Sequence, residues 1–115
     1  MLRGEIRLVD LEPVRGSEAS KRRPAVVVSN DGANTTAFRL NRGVITVVPV
    51  TSNVTQVYPF QVFLPASECG LSSDSKAQAE QVRSVAIERV GRRVGQLPAS
   101  LLAELEDALR LHLAM

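Results

Sequence analysis

The chain has one cysteine, one histidine and no tryptophan among its 115 residues. The lone cysteine, Cys69, excludes an intramolecular disulfide and any multi-cysteine zinc site. The lone histidine, His112, excludes a paired-histidine active site within one chain. Aromatic residues make up 3%, too few for a platform of rings that stacks successive bases. No glycine-rich phosphate loop and no nucleophile elbow occurs. Asp31, Glu68, Asp74 and Glu80 are scattered at spacings that match no metal loop, so neither a metal nor another cofactor is expected. The first residues carry no apolar run after their charge, so no secretory leader is expected. The longest charge-free stretch, Gly43 to Ser67, spans 25 residues, but Pro49, Pro59 and Pro65 break it as a membrane helix.

What is present fits one soluble domain covering 1–115, expected to be cytoplasmic. Apolar residues make up 44% and charged residues 23%, enough to bury a core and too apolar for a disordered segment. Fourteen bases against twelve acids leave a net charge of only +2. Arginine outnumbers lysine twelve to two among those bases, and its planar fork suits bidentate phosphate contact. This composition permits a phosphate-binding domain without demanding one.

The hydrophobic pattern predicts mostly strands. Glu5 to Asp10 alternates apolar and polar residues. A polar loop from Leu11 to Arg23 leads into Pro24 to Asn30, whose run of alanine and valines predicts a strand buried on both faces. Asp31-Gly32-Ala33-Asn34 carries turn chemistry. Further strands are expected at Val44 to Val50, Tyr58 to Leu64 and Gln78 to Ala86, with a short one at Arg92 to Gln96. From Pro98 to His112, leucines recur at three- and four-residue spacing, which predicts an amphipathic helix with an apolar face turned to the sheet or to a partner subunit. Together these give a mainly β fold with α: a small β-barrel of about five to six strands plus a C-terminal amphipathic helix.

Three segments could carry chemistry. The loop holding Gly16, Ser17, Glu18, Lys21, Arg22 and Arg23 joins a carboxylate to three consecutive cations where a buried strand begins. Pro24 holds Arg23 extended, so its guanidinium could present a fixed fork to a phosphate; equally, the run could be a solvated loop. Thr51-Ser52-Asn53 could hydrogen-bond a phosphate or a base edge, or could cap a turn. In Ala79 to Arg83, alternation sets Glu80 and Val82 on one face and Gln81 and Arg83 on the other, with a structural ion pair expected for Arg83. His112 suits a helix C-terminal turn, and Cys69 reads as an inert thiol.

At these residues the chain resembles the MazF/PemK family of toxin endoribonucleases. The likeness runs through Arg3-Gly4-Glu5-Ile6, Val9-Asp10-Leu11-Glu12-Pro13 and Gly16-Ser17-Glu18. It continues in Arg23-Pro24-Ala25-Val26-Val27-Val28-Ser29-Asn30, Ile45-Thr46-Val47-Val48-Pro49-Val50-Thr51-Ser52, Ala79-Glu80-Gln81-Val82-Arg83-Ser84 and Arg93-Val94-Gly95-Gln96-Leu97. The motifs span nearly the whole chain in order. The resemblance implies an SH3-like barrel working as a homodimer, with single-stranded RNA such as mRNA across the dimer groove and a cognate antitoxin as partner. It implies metal-independent cleavage by the RNA's own 2′-hydroxyl, with Arg23 and Thr51 as catalytic residues and Glu18 as the candidate base. Ser17, Lys21, Arg22, Ser52, Asn53, Gln56, Tyr58 and Gln81 are the expected RNA-binding residues, with the Val54–Phe60 loop shaping sequence choice. Two other readings remain open: a same-fold toxin that poisons a protein such as DNA gyrase, and a non-catalytic nucleic-acid-binding barrel.

Overall fold

A computed structural model describes residues 1–11 and 22–115. Ser17, Glu18 and Lys21 therefore lie outside the described residues. The elements are β1 (Glu5–Asp10), β2 (Arg22–Val27), α1 (Asp31–Leu40), β3 (Val44–Thr51), β4 (Gln61–Leu64), α2 (Ala66–Cys69), β5 (Ser75–Gln78), β6 (Arg83–Ala86), β7 (Val90–Gln96) and α3 (Ala99–Leu113). Short 3-10 turns at Ala79–Gln81 and Ile87–Arg89 flank β6.

All pairings are antiparallel, in the order β4-β5-β3-β2-β1-β7, with β6 on β3 as well. Among the described residues no pairing joins β4 to β7. The expected barrel is thus a barrel-like, open sheet, and it has seven strands in place of five or six. The one strand expected from Gln78 to Ala86 is two. The beginning of β3 pairs with β6 and its end with β5, and Pro49, which has no N–H to donate, sits between the two pairings. The chain crosses that gap as the turn Ala79–Gln81, so the strict alternation expected for Glu80 to Arg83 does not hold.

The runs Ala25–Val27 of β2 and Val47–Val50 of β3 are buried on both faces, as the valines predict. Val26, Val28, Val48 and Val50 face one cluster that α3 covers with Leu101, Leu105 and Ala108. Ala25, Val27, Ile45 and Val47 face a second cluster closed by Ala37 of α1 and by Ile87. The C-terminal helix matches its expected stripe, though Leu113 at its end is half exposed.

Helix α1 is a correction, because Asp31 to Asn34 read as a turn. The same residues start a helix: the Asn30 side chain accepts from the Ala33 N–H at 2.8 Å, and Asp31 lies in the first turn. Only Asn34 and Ala37 of α1 are buried, so no apolar stripe announces it. Asn34, fully buried, is held by its Nδ2 donating to the Ser29 carbonyl at 2.8 Å. Beside the start of α1, Arg3 ties three segments together. Its backbone N–H donates to Asp31, its Nε to the Val28 carbonyl, and its Nη1 to Glu106 of α3.

Candidate functional site

β2 begins two residues earlier than expected. Arg22 and Arg23 are strand residues paired with Asp10 and Val9 of β1, and their side chains are exposed. On its other side β2 pairs with β3, through Ala25 opposite Pro49. Continuing that register by two residues sets Arg23 opposite Thr51, the last residue of β3. Opposed residues in an antiparallel ladder point to the same face. Arg23, Thr51 and Ser52 accordingly line one cavity of about 250 Å³, together with Ser72, Ser73 and Ser75.

Thr51 forms a turn, as its place at a strand end allowed, and also lines the cavity. Its Oγ1 accepts from the Asn53 N–H at 3.2 Å, and Asn53 Oδ1 accepts from the Thr55 N–H at 3.2 Å. These are turn-forming bonds. They use Thr51 Oγ1 only as an acceptor, so its O–H remains able to donate into the cavity. The exposed guanidinium of Arg23 brings N–H donors and a positive charge, and no carboxylate lines the cavity among the described residues. Chemically the arrangement could receive an anion, with a cation on one strand and a hydroxyl on the next.

The other expected residues are arranged differently. Asn53 sits beside the cavity as a turn acceptor. The guanidinium of Arg22 lies over Gly91, where an added Cβ would approach its Nη1 to 2.7 Å. Gln56 and Tyr58 lie in the loop before β4 and do not line the cavity. That loop is braced from within. Buried Lys76 donates to the Gln56 carbonyl at 2.5 Å and lies 6.0 Å from the Tyr58 ring centre, and Tyr58 stacks on Phe60 at 5.4 Å. Gln61 Oε1 accepts from the Tyr58 N–H, and Gln61 Nε2 donates to Glu80 Oε2 at 2.7 Å, while Glu80 Oε1 is buried without a partner among the described residues. The strand expected from Tyr58 therefore starts only at Gln61. Gln81 is exposed on its 3-10 turn, away from the cavity lining.

Arg83 does not form the expected ion pair among the described residues; its Nη1 donates to the Leu11 carbonyl at 3.4 Å. Cys69 is buried, and burial, reinforced by the neighbouring charge of Glu68, pushes its thiol up from the ordinary value. His112 is exposed in the last turn of α3. No group of three His, Cys, Asp or Glu side chains among the described residues forms a candidate metal cluster. No helix among them is long and apolar enough to cross a membrane. Sequence reasoning missed Ser72, Ser73 and Ser75, which it left in a loop. Their serine-rich run was the available signal, but only the fold brings it against Arg23.

Comparison with known proteins matches residues 2–113 to the family described as PemK-like, MazF-like toxin of type II toxin-antitoxin system. The chain is 66% identical over 113 residues to the endoribonuclease MazF9 of Mycobacterium tuberculosis, covering 98% of this chain and 96% of that one. Among solved structures it superposes on MazF from Deinococcus radiodurans with a TM-score of 0.75 and 29% identity, covering 100% of this chain and 97% of that one. A MazE-MazF crystal structure from the same organism gives a TM-score of 0.73 at 29% identity, with 100% and 96% covered.

Proposed function

The chain belongs to the PemK-like, MazF-like toxin family, and from that premise we propose that it is an endoribonuclease toxin cutting single-stranded RNA without a metal. The observation that carries the reading is the shared cavity of Arg23 and Thr51, two donors presented from neighbouring core strands. The 2′-hydroxyl of the RNA attacks the adjacent phosphorus, the bond to the 5′-oxygen breaks, and the products are a 2′,3′-cyclic phosphate and a 5′-hydroxyl. Negative charge gathers on the non-bridging oxygens as the transition state forms. Two parallel N–H groups of Arg23 stabilise it, and the Thr51 O–H donates to the same phosphate. Because both side chains are fixed by strands, little reorganisation is needed when the charge appears. Glu18 is the proposed base that takes the 2′-hydroxyl proton.

Ser52 and Asn53 extend the polar wall beside Thr51. Arg22 adds an RNA contact from β2, and Ser17 and Lys21, outside the described residues, add others. Gln56, Tyr58 and Gln81 contact RNA outside the cavity, and the braced loop before β4 shapes sequence choice through the part of Tyr58 left exposed. The working unit is a homodimer, with a cognate antitoxin whose acidic segment competes for the groove. The relatives are named endoribonucleases, which gives the protein-poisoning alternative no support.

The test is incubation of pure protein with RNA in excess EDTA, followed by analysis of fragment ends. Discrete fragments ending in cyclic phosphate support the proposal, and intact RNA overturns it. Arg23→Ala should lower turnover by about 100-fold or more, as removal of one transition-state donor does. Near-normal cleavage would remove Arg23 from the mechanism.

A further inference from the structure

The cavity of Arg23 and Thr51 does not end at Ser72. A second cavity of about 430 Å³ shares Pro24, Leu71 and Ser72 with it and runs on to Arg92 and Arg93 of β7. Two neighbouring residues of a regular strand point to opposite faces. β7 is not regular here. Val9 pairs with Val90, Arg7 with Arg93 and Ile6 with Gly95, so β7 carries an extra residue in each of those two intervals. A bulge of this kind bends the strand and re-aims its side chains, and it lets both arginines line the same cavity.

Charge in this extension is one-sided. No carboxylate lines either cavity among the described residues. Among the described residues Arg93 donates to neutral acceptors only, Gln96 Oε1 at 2.5 Å and the Gly95 carbonyl at 3.4 Å. Those bonds steady its guanidinium and leave its charge uncompensated. Arg92 is exposed, with no hydrogen bond or ion pair among the described residues. In a chain of net charge +2, a groove holding Arg23, Arg92 and Arg93 without an acid is a local concentration of cations.

We infer that Arg92 and Arg93 form a second phosphate subsite, which holds a backbone phosphate of the same RNA strand next to the one that is cut. The inference rests on the ribonuclease reading and deepens it. The cut phosphate sits between Arg23 and Thr51, the strand passes over Pro24, Leu71 and Ser72, and the flanking phosphate meets the bulge of β7. Such a contact adds affinity and fixes the direction of the strand without reading sequence.

The experiment measures binding of a mixed-sequence 2′-fluoro RNA, which lacks the attacking hydroxyl at every position, as salt is varied. Each phosphate that the protein neutralises contributes about 0.7 to the slope of log affinity against log salt. Arg92→Ala with Arg93→Ala, which empties one phosphate subsite, should flatten the slope by about that amount and weaken binding about tenfold at moderate salt, regardless of sequence. Arg92→Lys with Arg93→Lys should keep most of the slope, because the charge stays. Arg39→Ala, which removes one charge from α1 outside both cavities, should leave it unchanged. A double-alanine protein that matches Arg39→Ala overturns the subsite, as does a lysine pair that behaves like the alanine pair. Cleavage of ordinary RNA by the parent protein is scored separately, so failure there removes the nuclease reading and leaves the binding result to stand or fall alone.

Discussion

Replacing Gly95 by alanine should loosen the fold and disturb the groove together. Gly95 lies on β7 under the end of α2, and an added Cβ would stand 2.3 Å from the Cys69 carbonyl oxygen and 3.4 Å from Ile6 Cδ1. The obstructing oxygen is backbone and cannot rotate away, so α2 and β7 must separate by about 1 Å to restore ordinary contact. Overpacking of this kind costs about 1–3 kcal/mol, against the roughly 0.4–1 kcal/mol that alanine contributes by restricting the unfolded chain. A net loss of about 1.3 kcal/mol corresponds to a melting temperature lower by roughly 5 °C for a domain of this size. Gly91 supplies the comparison. There the 2.7 Å neighbour is the tip of Arg22, with the Leu8 carbonyl at 3.1 Å, so Gly91→Ala should be milder. Calorimetry on both variants, with RNA cleavage measured alongside, tests the argument. The residues after Cys69 lead directly to Leu71 and Ser72 in the cavity wall, so Gly95→Ala should also cleave more slowly than Gly91→Ala. A melting temperature for Gly95→Ala equal to the parent's, or a larger loss in Gly91→Ala, would refute the reasoning.

Three further outcomes follow from named contacts. Thr51→Val keeps the shape and removes the hydroxyl, so single-turnover cleavage should fall by about tenfold or more, and an unchanged rate would leave Thr51 as a turn residue. The Arg3 guanidinium, hydrogen-bonded to Glu106, holds that carboxyl below its ordinary value. Its contribution to stability is therefore present above the unfolded carboxylate pKa and disappears as pH falls through the lowered folded one. Urea midpoints of the parent and of Glu106→Gln should accordingly differ at neutral pH and converge in acid; a gap that persists or widens in acid contradicts the pairing. Cys69 is buried with its thiol pushed up, so a thiol reagent at mildly alkaline pH should react slowly with folded protein and fast in denaturant. Equal rates would show the burial to be wrong.

How much was legible in the sequence depends on which signal each element carries. β1 was read to its ends from the alternation of Ile6 and Leu8 with Glu5 and Arg7, although the burial departs from it: Glu5 and Val9 are buried and Leu8 only partly so. The two-sided burial of β2 and β3 was visible in their valine runs, and α3 in its leucine spacing. Helix α1 was hidden because it buries almost nothing, and its capping residues are also turn residues. The division between β5 and β6 depends on how β3 changes partners around Pro49, a fact about the sheet that no local pattern carries. Within the site, Arg23 stood out through Pro24, and Thr51 through its place at a strand end. Their meeting follows from the β2–β3 register. Ser72 and Arg92 reach the same groove by tertiary routes, one through the turn after α2 and the other through the bulges of β7.

The anchoring of Arg23 and Thr51 on paired strands has a consequence for how the protein responds to heat and to local opening. Amide protons of β2 and β3 belong to the doubly covered centre of the sheet, the kind of region that exchanges with solvent only when the whole domain opens. A site carried at the ends of these strands should melt with them rather than by itself. Warming should leave the spacing between the guanidinium and the hydroxyl intact until the cooperative transition, at which both disappear together. The surrounding loops are then free to vary in length and composition, and so in which RNA they admit, without detuning the pair that the sheet holds in register.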